Sequence, residues 1–456
     1  MVLERANGQG HVLIISHDVV GAQMAGPGIR YTHLARILAQ EFDVILAIPA
    51  EPTLQSPEDF QVLTYRSGEE TGLNQAIQQA RVVLIPAVYL ANVPALLQSP
   101  VPLVIDGYDP FLAETLFLRR ETAHLQRVLI QAYLAGDFFI CASERQRDWW
   151  LGLLEACGRV NPCTFGENSS LRQLVDVVPF GMPKEPPQAS RRVLKGVWPG
   201  VGPEDKVILW GGGLWPWLDP LTAIRALATV WQHRQDVRLV FPGTRHPNPQ
   251  VAGIPTHNEV ALQTAQDLGL LGRAVLFGEW VPYADWPNVL LESDVALTLH
   301  EDTLETRLAF RSRVLDYIWA GIPVVATRGD ATSDLIARYE VGIVVDYHDI
   351  DGVAEAMLRL LDMPHAAFGE RFEKARQELT WEHAARPLVE FCRHPRRAPD
   401  KATPFLGNPY YQEKLLHLEA EVARLEKLVE GYERGKFIRF MRFLRRLGKD
   451  MRHAAR

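Results

Sequence analysis

The chain has 456 residues, 47% of them apolar and 23% charged, with a formal net charge of −7. That length exceeds what one hydrophobic core usually organises, so two domains of ordinary size are expected. The composition excludes global disorder, and the mild acidic balance argues against a general nucleic-acid binder.

Four cysteines, Cys141, Cys157, Cys163 and Cys392, form no CxxC pair and no zinc-spaced cluster. Reduced thiols and no structural metal are therefore expected, as in a cytoplasmic protein. No apolar run reaches the roughly 18 residues of a membrane span, and Val12–Ile15 is too short for the core of an export signal.

Short β-branched runs are expected as strands at Val12–Ile15, Val44–Ile48, Val82–Ile85, Leu103–Ile105, Phe138–Cys141 and Val175–Val178. Helix-like stretches such as Ile29–Gln40 and Glu121–Leu134 separate several of them, the alternation of a parallel sheet with crossover helices. Residues 1–181 read as one Rossmann-like domain, and 182–205, rich in Pro, Gly and charge, as a linker. The alternation restarts at Val207–Trp210, Val237–Phe241, Val275–Phe277, Val295–Leu299, Pro323–Ala326 and Gly342–Val345, with helices over Pro220–Gln232 and Val353–Leu361. Residues 206–380 thus form a second doubly wound domain. The fold class is α/β, two Rossmann-like domains facing a cleft, with a C-terminal helical appendage.

In such sheets ligands bind beyond the carboxyl ends of the strands, where the first strand turns into its helix. Two loops stand there. The first, SHDVVGAQMAGPGIR at 16–30, is long for a strand-to-helix connection and contains His17, Gly26 and Gly28. The second follows Val207–Trp210 and places Gly211, Gly212 and Gly213 before Trp215 and Trp217. Glycine lets a ligand approach bare backbone, and tryptophan supplies a flat wall. The alternative is that both Trp side chains only pack between domains. Neither loop matches a P-loop or a clean dinucleotide fingerprint.

Residues 305–330, ETRLAFRSRVLDYIWAGIPVVATRGD, carry the densest chemistry. A helix from about Leu308 to Ala320, ended by Gly321, would align Arg311, Arg313 and Asp316 at the same sheet edge. Arginine forks and a helix N-terminus suit diphosphate oxygens, and a carboxylate one turn on can accept from two ribose hydroxyls. The plainer alternative is a surface ion pair between Arg313 and Asp316.

This segment resembles the signature of the retaining family-four glycosyltransferases of GT-B fold, in which an acidic residue stands on a helix just before A-G-x-P-V-V, here Ala320-Gly321-Ile322-Pro323-Val324-Val325. Val178-Pro179-Phe180-Gly181, Cys141-Ala142-Ser143-Glu144 and Val275-Leu276-Phe277-Gly278 extend the resemblance over residues 11 to about 392, including a closing helix at 381–393. The resemblance implies a nucleotide-sugar donor on the second domain, a glycan or lipid-linked acceptor on the first, and no obligatory metal or other cofactor. It gives Asp316 to the donor ribose, and Asp106, helped by Asp109, to the place where the family often has a histidine. The sequence departs from the pattern at Leu308, where a second acidic residue is usual, and at Gly213 and Leu218, where Arg and Lys are usual. A catalytically silent scaffold, or another nucleotide-sugar enzyme such as an epimerase, therefore stays open beside a transferase of surface-polysaccharide type.

After a linker read at 394–412, residues 413–456 form the appendage. Leu415, Leu418, Val422, Leu425, Val429 and Tyr432 step by three and four, the seam of a coiled coil suited to self-association. Residues 435–456 then repeat Phe437, Phe440, Met441, Leu444, Leu447 and Met451 among seven basic residues from Lys436 to Arg452, with Asp450 the lone carboxylate. A basic helix with an apolar side suits an anionic membrane surface. The expectation is a cytoplasmic protein held peripherally on the inner face of the membrane.

Overall fold

The computed structural model describes residues 10–401, apart from 19, 23, 50–58, 67–70 and 245–253, together with the helix at 409–434. Seven parallel strands build the first sheet: β1 (His11–Ile15), β2 (Val44–Ile48), β3 (Gln61–Thr64), β4 (Ala80–Pro86), β5 (Leu103–Asp106), β6 (Phe138–Cys141) and β7 (Val175–Val177), in the order β3-β2-β1-β4-β5-β6-β7. Six build the second: β8 (Lys206–Trp210), β9 (Val237–Pro242), β10 (Val275–Gly278), β11 (Val295–Thr298), β12 (Val324–Thr327) and β13 (Gly342–Val345), in the order β10-β9-β8-β11-β12-β13.

The apolar runs become strands because both faces of each sheet are covered. Val12 and Ile14 of β1 enter one core cluster while Leu13 and Ile15 enter another, and all four are fully buried. A run with no polar alternation is what a two-sided parallel sheet requires. β3 was not expected, since its four residues are exposed or half-buried and it stands at the sheet edge beside β2. In each sheet the strand order reverses beside the first strand, at β1/β4 and at β8/β11. The loops after β1 and β8 therefore open at the two switch points.

Three expectations need correction. Residues 182–205 are no free linker: the Glu292 carboxylate accepts from the backbone N–H groups of Val193, Leu194 and Lys195 at 2.8, 3.1 and 2.6 Å, and Lys195 pairs with Asp294 at 2.8 Å. The polar content that suggested a linker is consumed by these partners. The stretch at 394–401 is likewise docked on the first domain. Asp400 receives Arg159 at 2.6 Å in a buried ion pair, and Ala398 N–H and Lys401 both bind Asp137. Finally, the helix expected over Leu308–Ala320 is two helices, Leu304–Leu308 and Arg313–Ala320. Ala309 is extended there, and Gln146 from the first domain donates to the Leu308 carbonyl at 2.7 Å.

The chain crosses between the domains twice, after Met182 and back through Thr380 and Trp381, where Met182 N–H bonds Leu379 O and Trp381 N–H bonds Met182 O. The helix Arg386–Arg393 then returns to the first domain, stacking Phe391 on Phe138 at 4.8 Å and pairing Arg393 with Glu41. Past it, Pro409–Arg434 forms one long helix on which Leu418, Val422, Leu425 and Val429 are exposed. The basic segment 435–456 lies outside the described residues, and none of the described helices is long and apolar enough to cross a membrane.

Candidate functional site

Between the two switch points lies a cavity of about 420 Å³ lined by both domains. The first domain contributes the loop after β1 with His17 and Asp18, Gly26 at the start of the next helix, the loop after β5 with Tyr108 and Asp109, Glu114 on the helix Phe111–Phe117, and Phe180. The second contributes Gly211–Gly213, Trp215 and Trp217, an aromatic wall of Trp280, Tyr283 and Trp286, and Glu305, Phe310, Arg311, Arg313 and Asp316.

The glycine loop behaves differently residue by residue. Gly211 N–H already donates to the Tyr317 hydroxyl at 2.9 Å, so it is not offered to a ligand. Gly212 has φ +102°, a conformation L side chains rarely adopt, and a Cβ there would stand 3.3 Å from the Arg313 guanidinium. Trp215 and Trp217 stack at 5.8 Å and 14°, and Trp217 meets Phe117 of the other domain edge-on at 6.5 Å. They wall the cavity and also pack between domains.

The two arginines separate. Arg311 is bound in both arms by Glu305 at 2.8 and 2.6 Å, with Asp330 at 3.8 Å. Its charge is satisfied inside the protein, against the expectation that it faces a diphosphate. Arg313 stands at the first turn of its helix beside Gly212, and one of its guanidinium nitrogens is shielded without a partner. Burial lowers its pKa. Asp316 takes a hydrogen bond from Trp286 Nε1 at 3.0 Å; burial pushes its carboxyl up to about 6, against the opposing pull of that bond and of Arg313.

Asp106 is also corrected. It is 2% exposed and does not line the cavity; Arg30, itself fully buried, donates to both its oxygens at 2.7 and 3.1 Å. Arg30 also reaches Val178 O at 2.9 Å. Gly28 is buried within the helix Gly26–Ala39, where its carbonyl accepts from Thr32, while Gly26 does line the cavity at that helix's start. His17 lines it too, with Nδ1 shielded and unpartnered and a pKa lowered by burial against the pull of Asp18 and Asp106.

Asp109 lines the cavity as expected, but in company that the sequence reading missed. Burial and then the Glu305 and Asp106 charges push it up to about 7, with a hydrogen bond to Glu114 and the Arg311 charge opposing. Glu114 is driven well above the usual range by burial and by Asp109 and Glu305. Three carboxyls from two domains thus share one arginine. The missed signal was available only in part: Thr303 caps the short helix bearing Glu305, but nothing in the sequence sets Glu114 against Glu305.

Among the described residues, one mixed cluster has metal-ligand spacing: Asp219, Glu301 and His348, whose ligand atoms lie within 4.8 Å of one another. His348 Nδ1 is 3.1 Å from Asp219 and Nε2 is 3.0 Å from Glu301. These residues do not line the cavity.

Residues 205–363 match the family described as Glycosyl transferases group 1. A search of curated protein sequences finds no significant match. Among solved structures, the chain is similar to Anabaena Alr3699/HepE in complex with UDP and glucose, at 15% identity and a TM-score of 0.63 over 84% of this chain and 100% of that one. Sucrose-phosphate synthase from Thermosynechococcus elongatus follows at 15% identity and 0.59, over 84% of this chain and 98% of that one. WaaG, a glycosyltransferase involved in lipopolysaccharide biosynthesis, gives 14% and 0.56, over 84% and 100%.

Proposed function

We propose that this chain, a GT-B fold carrying a group 1 glycosyl transferase domain at residues 205–363, transfers a sugar from a nucleotide-sugar donor to a glycan or lipid-linked acceptor with retention of configuration. The observation that carries the reading is the cluster on one edge of the second sheet: Gly212 and Gly213 backbone, the incompletely partnered Arg313 at a helix start, and the Asp316 carboxylate. Arg313 and that helix N-terminus suit the donor diphosphate, with the start of the Gly26–Ala39 helix opposite, and Asp316 suits the ribose hydroxyls. Trp215 and Trp217 wall the sugar.

The acceptor enters from the side of His17 and Asp109. On one face of the sugar, the bond from the anomeric carbon to the phosphate oxygen breaks and a bond to the acceptor oxygen forms, while the acceptor proton passes to the departing phosphate. A nearby Asp109 carboxyl oxygen is suited to positive charge developing on the sugar. No obligatory metal is assigned. The reading is tested by calorimetry against nucleoside diphosphates and their sugars, followed by NMR of the product anomer. Binding without transfer to any acceptor would favour a silent scaffold; an inverted product would reject retention.

A place in surface-polysaccharide assembly, at the inner face of the membrane, is supported by the sequence of 435–456, and self-association by the exposed row on the helix Pro409–Arg434. The full chain is expected to float with anionic vesicles at low salt, and a chain ending at Glu433 is not. Light scattering of the full chain and of one lacking residues 405–456 decides self-association.

A further inference from the structure

The two walls of the cavity differ in charge, and the difference bears on what the acceptor is; the inference rests on the transfer reading above. The first domain lines the cavity with Asp18, Asp109 and Glu114, and among the described residues its only basic lining residue is His17, whose pKa burial lowers. Glu305 adds a fourth carboxyl from the facing domain. Among the described residues, the lining cations are Arg311, held in both arms by Glu305, and Arg313, beside Gly212 on the donor side. Arg30, behind Tyr108, is fully buried and clamped on Asp106. The anion-favouring start of the Gly26–Ala39 helix is assigned to the donor phosphates.

A second, independent observation points to a ligand at this wall. The Tyr108 side chain is more than nine-tenths buried and lines the cavity, yet its hydroxyl has no hydrogen-bond partner. A buried hydroxyl without a partner is costly unless something polar arrives to pair with it. The backbone around it is tightly held, since Gln146 donates to Tyr108 O at 2.7 Å and Tyr108 N–H donates to Asp106.

We propose that this wall is an acceptor subsite for a sugar that presents hydroxyl or protonated amine groups and bears no phosphate or carboxylate at its reacting end, with Asp109, Glu114 and Tyr108 as the selecting residues. Carboxylates accept from sugar hydroxyls and pair with an ammonium, whereas a phosphate here meets like charge without a free cation and loses its water. Asp109 and Glu114 are hydrogen-bonded to each other, and their remaining oxygens can meet the hydroxyls of a polyol. Asp109 and Glu114 also face Arg311, whose charge Glu305 already offsets.

The experiment has two stages. Calorimetry with a nucleoside diphosphate comes first; absence of binding to any would overturn the transfer reading itself. The full-length protein is then given its best donor and an array of neutral sugars, amino sugars, sugar phosphates and uronic acids, with products read by mass spectrometry. Transfer to neutral or amino sugars at least tenfold faster than to their phosphorylated counterparts is expected. The pair Asp109→Asn with Glu114→Gln should narrow that ratio at least tenfold, and Tyr108→Phe should raise the acceptor KM with little change in donor affinity. Comparable transfer to sugar phosphates, no transfer to any uncharged or amino sugar, or an unchanged ratio in the double variant would each overturn the assignment. A ratio is used because it survives a general loss of rate.

Discussion

Two Arg/Asp sets in this protein use the same residue types to opposite ends. Arg30 and Asp106 come from separate elements of the first domain and close on each other in a fully buried, two-armed ion pair. Arg313 and Asp316 share one helix of the second domain and both face the cavity, where Asp316 takes its hydrogen bond from Trp286 and Arg313 keeps a shielded nitrogen unpartnered. The first set has spent Arg30 Nε and Nη2 on Asp106 and on Val178 O, leaving only Nη1 without a partner. The second holds capacity in reserve, which is why burial moves Arg313 down and Asp316 up. Charged groups left incompletely paired in a cleft cost stability and are functional-site candidates.

The sharpest way to break this comparison is at Arg30. Arg30→Ala leaves Asp106 buried without its partner, and a loss of about 3–5 kcal/mol in denaturant unfolding is expected. Arg313→Ala should do the reverse, with folding stability unchanged or slightly higher. If both variants lost stability alike, the contrast between sealed and reserved charge would fail.

Next in size is the glycine loop. Gly212→Val combines φ +102° with a Cβ set against Arg313, and should abolish donor binding while the core sheets still fold, read by calorimetry beside circular dichroism. Donor affinity equal to wild type would remove the loop from the site. Arg313→Ala comes third, and its donor dissociation constant should rise by about 10–100-fold, the range for losing a charge-assisted hydrogen bond.

The smallest effect is in pH. Asp109 holds its proton up to about 7 in the folded protein, against 3.8 ordinarily, so the unfolded chain binds fewer protons between these values. Folding stability therefore falls as pH rises through that window. Asp109→Asn removes this loss: its melting temperature relative to wild type should climb from pH 5 to pH 8. A difference that stays flat would mean that burial and the Glu305 and Asp106 charges do not raise this carboxyl.

Much of the fold could be read directly. Val44–Ile48, Phe138–Cys141 and Gly342–Val345 fall on strands with the same ends, and the other expected strands differ by a residue or two. These runs are legible because a strand covered on both faces must be apolar throughout. The edge strand β3 escaped because exposed residues need not be apolar. The site was legible in its residue types at strand ends, but less so in its roles. Asp106 and Arg311 looked as available as Asp316 and Arg313, and are not.

What the sequence by itself determined is the pair of Rossmann-like sheets and the two glycine-bearing loops at their switch points, since local apolar runs and turn residues dictate both. Only the tertiary structure decided which charges were spent. Arg30 met Asp106 across 76 positions, Arg311 turned back to Glu305, and Gln146 reached the Leu308 carbonyl from the other domain. A side chain's partner is set by three-dimensional proximity and by the cost of leaving a buried charge alone, and neither is written in the spacing of residues along the chain.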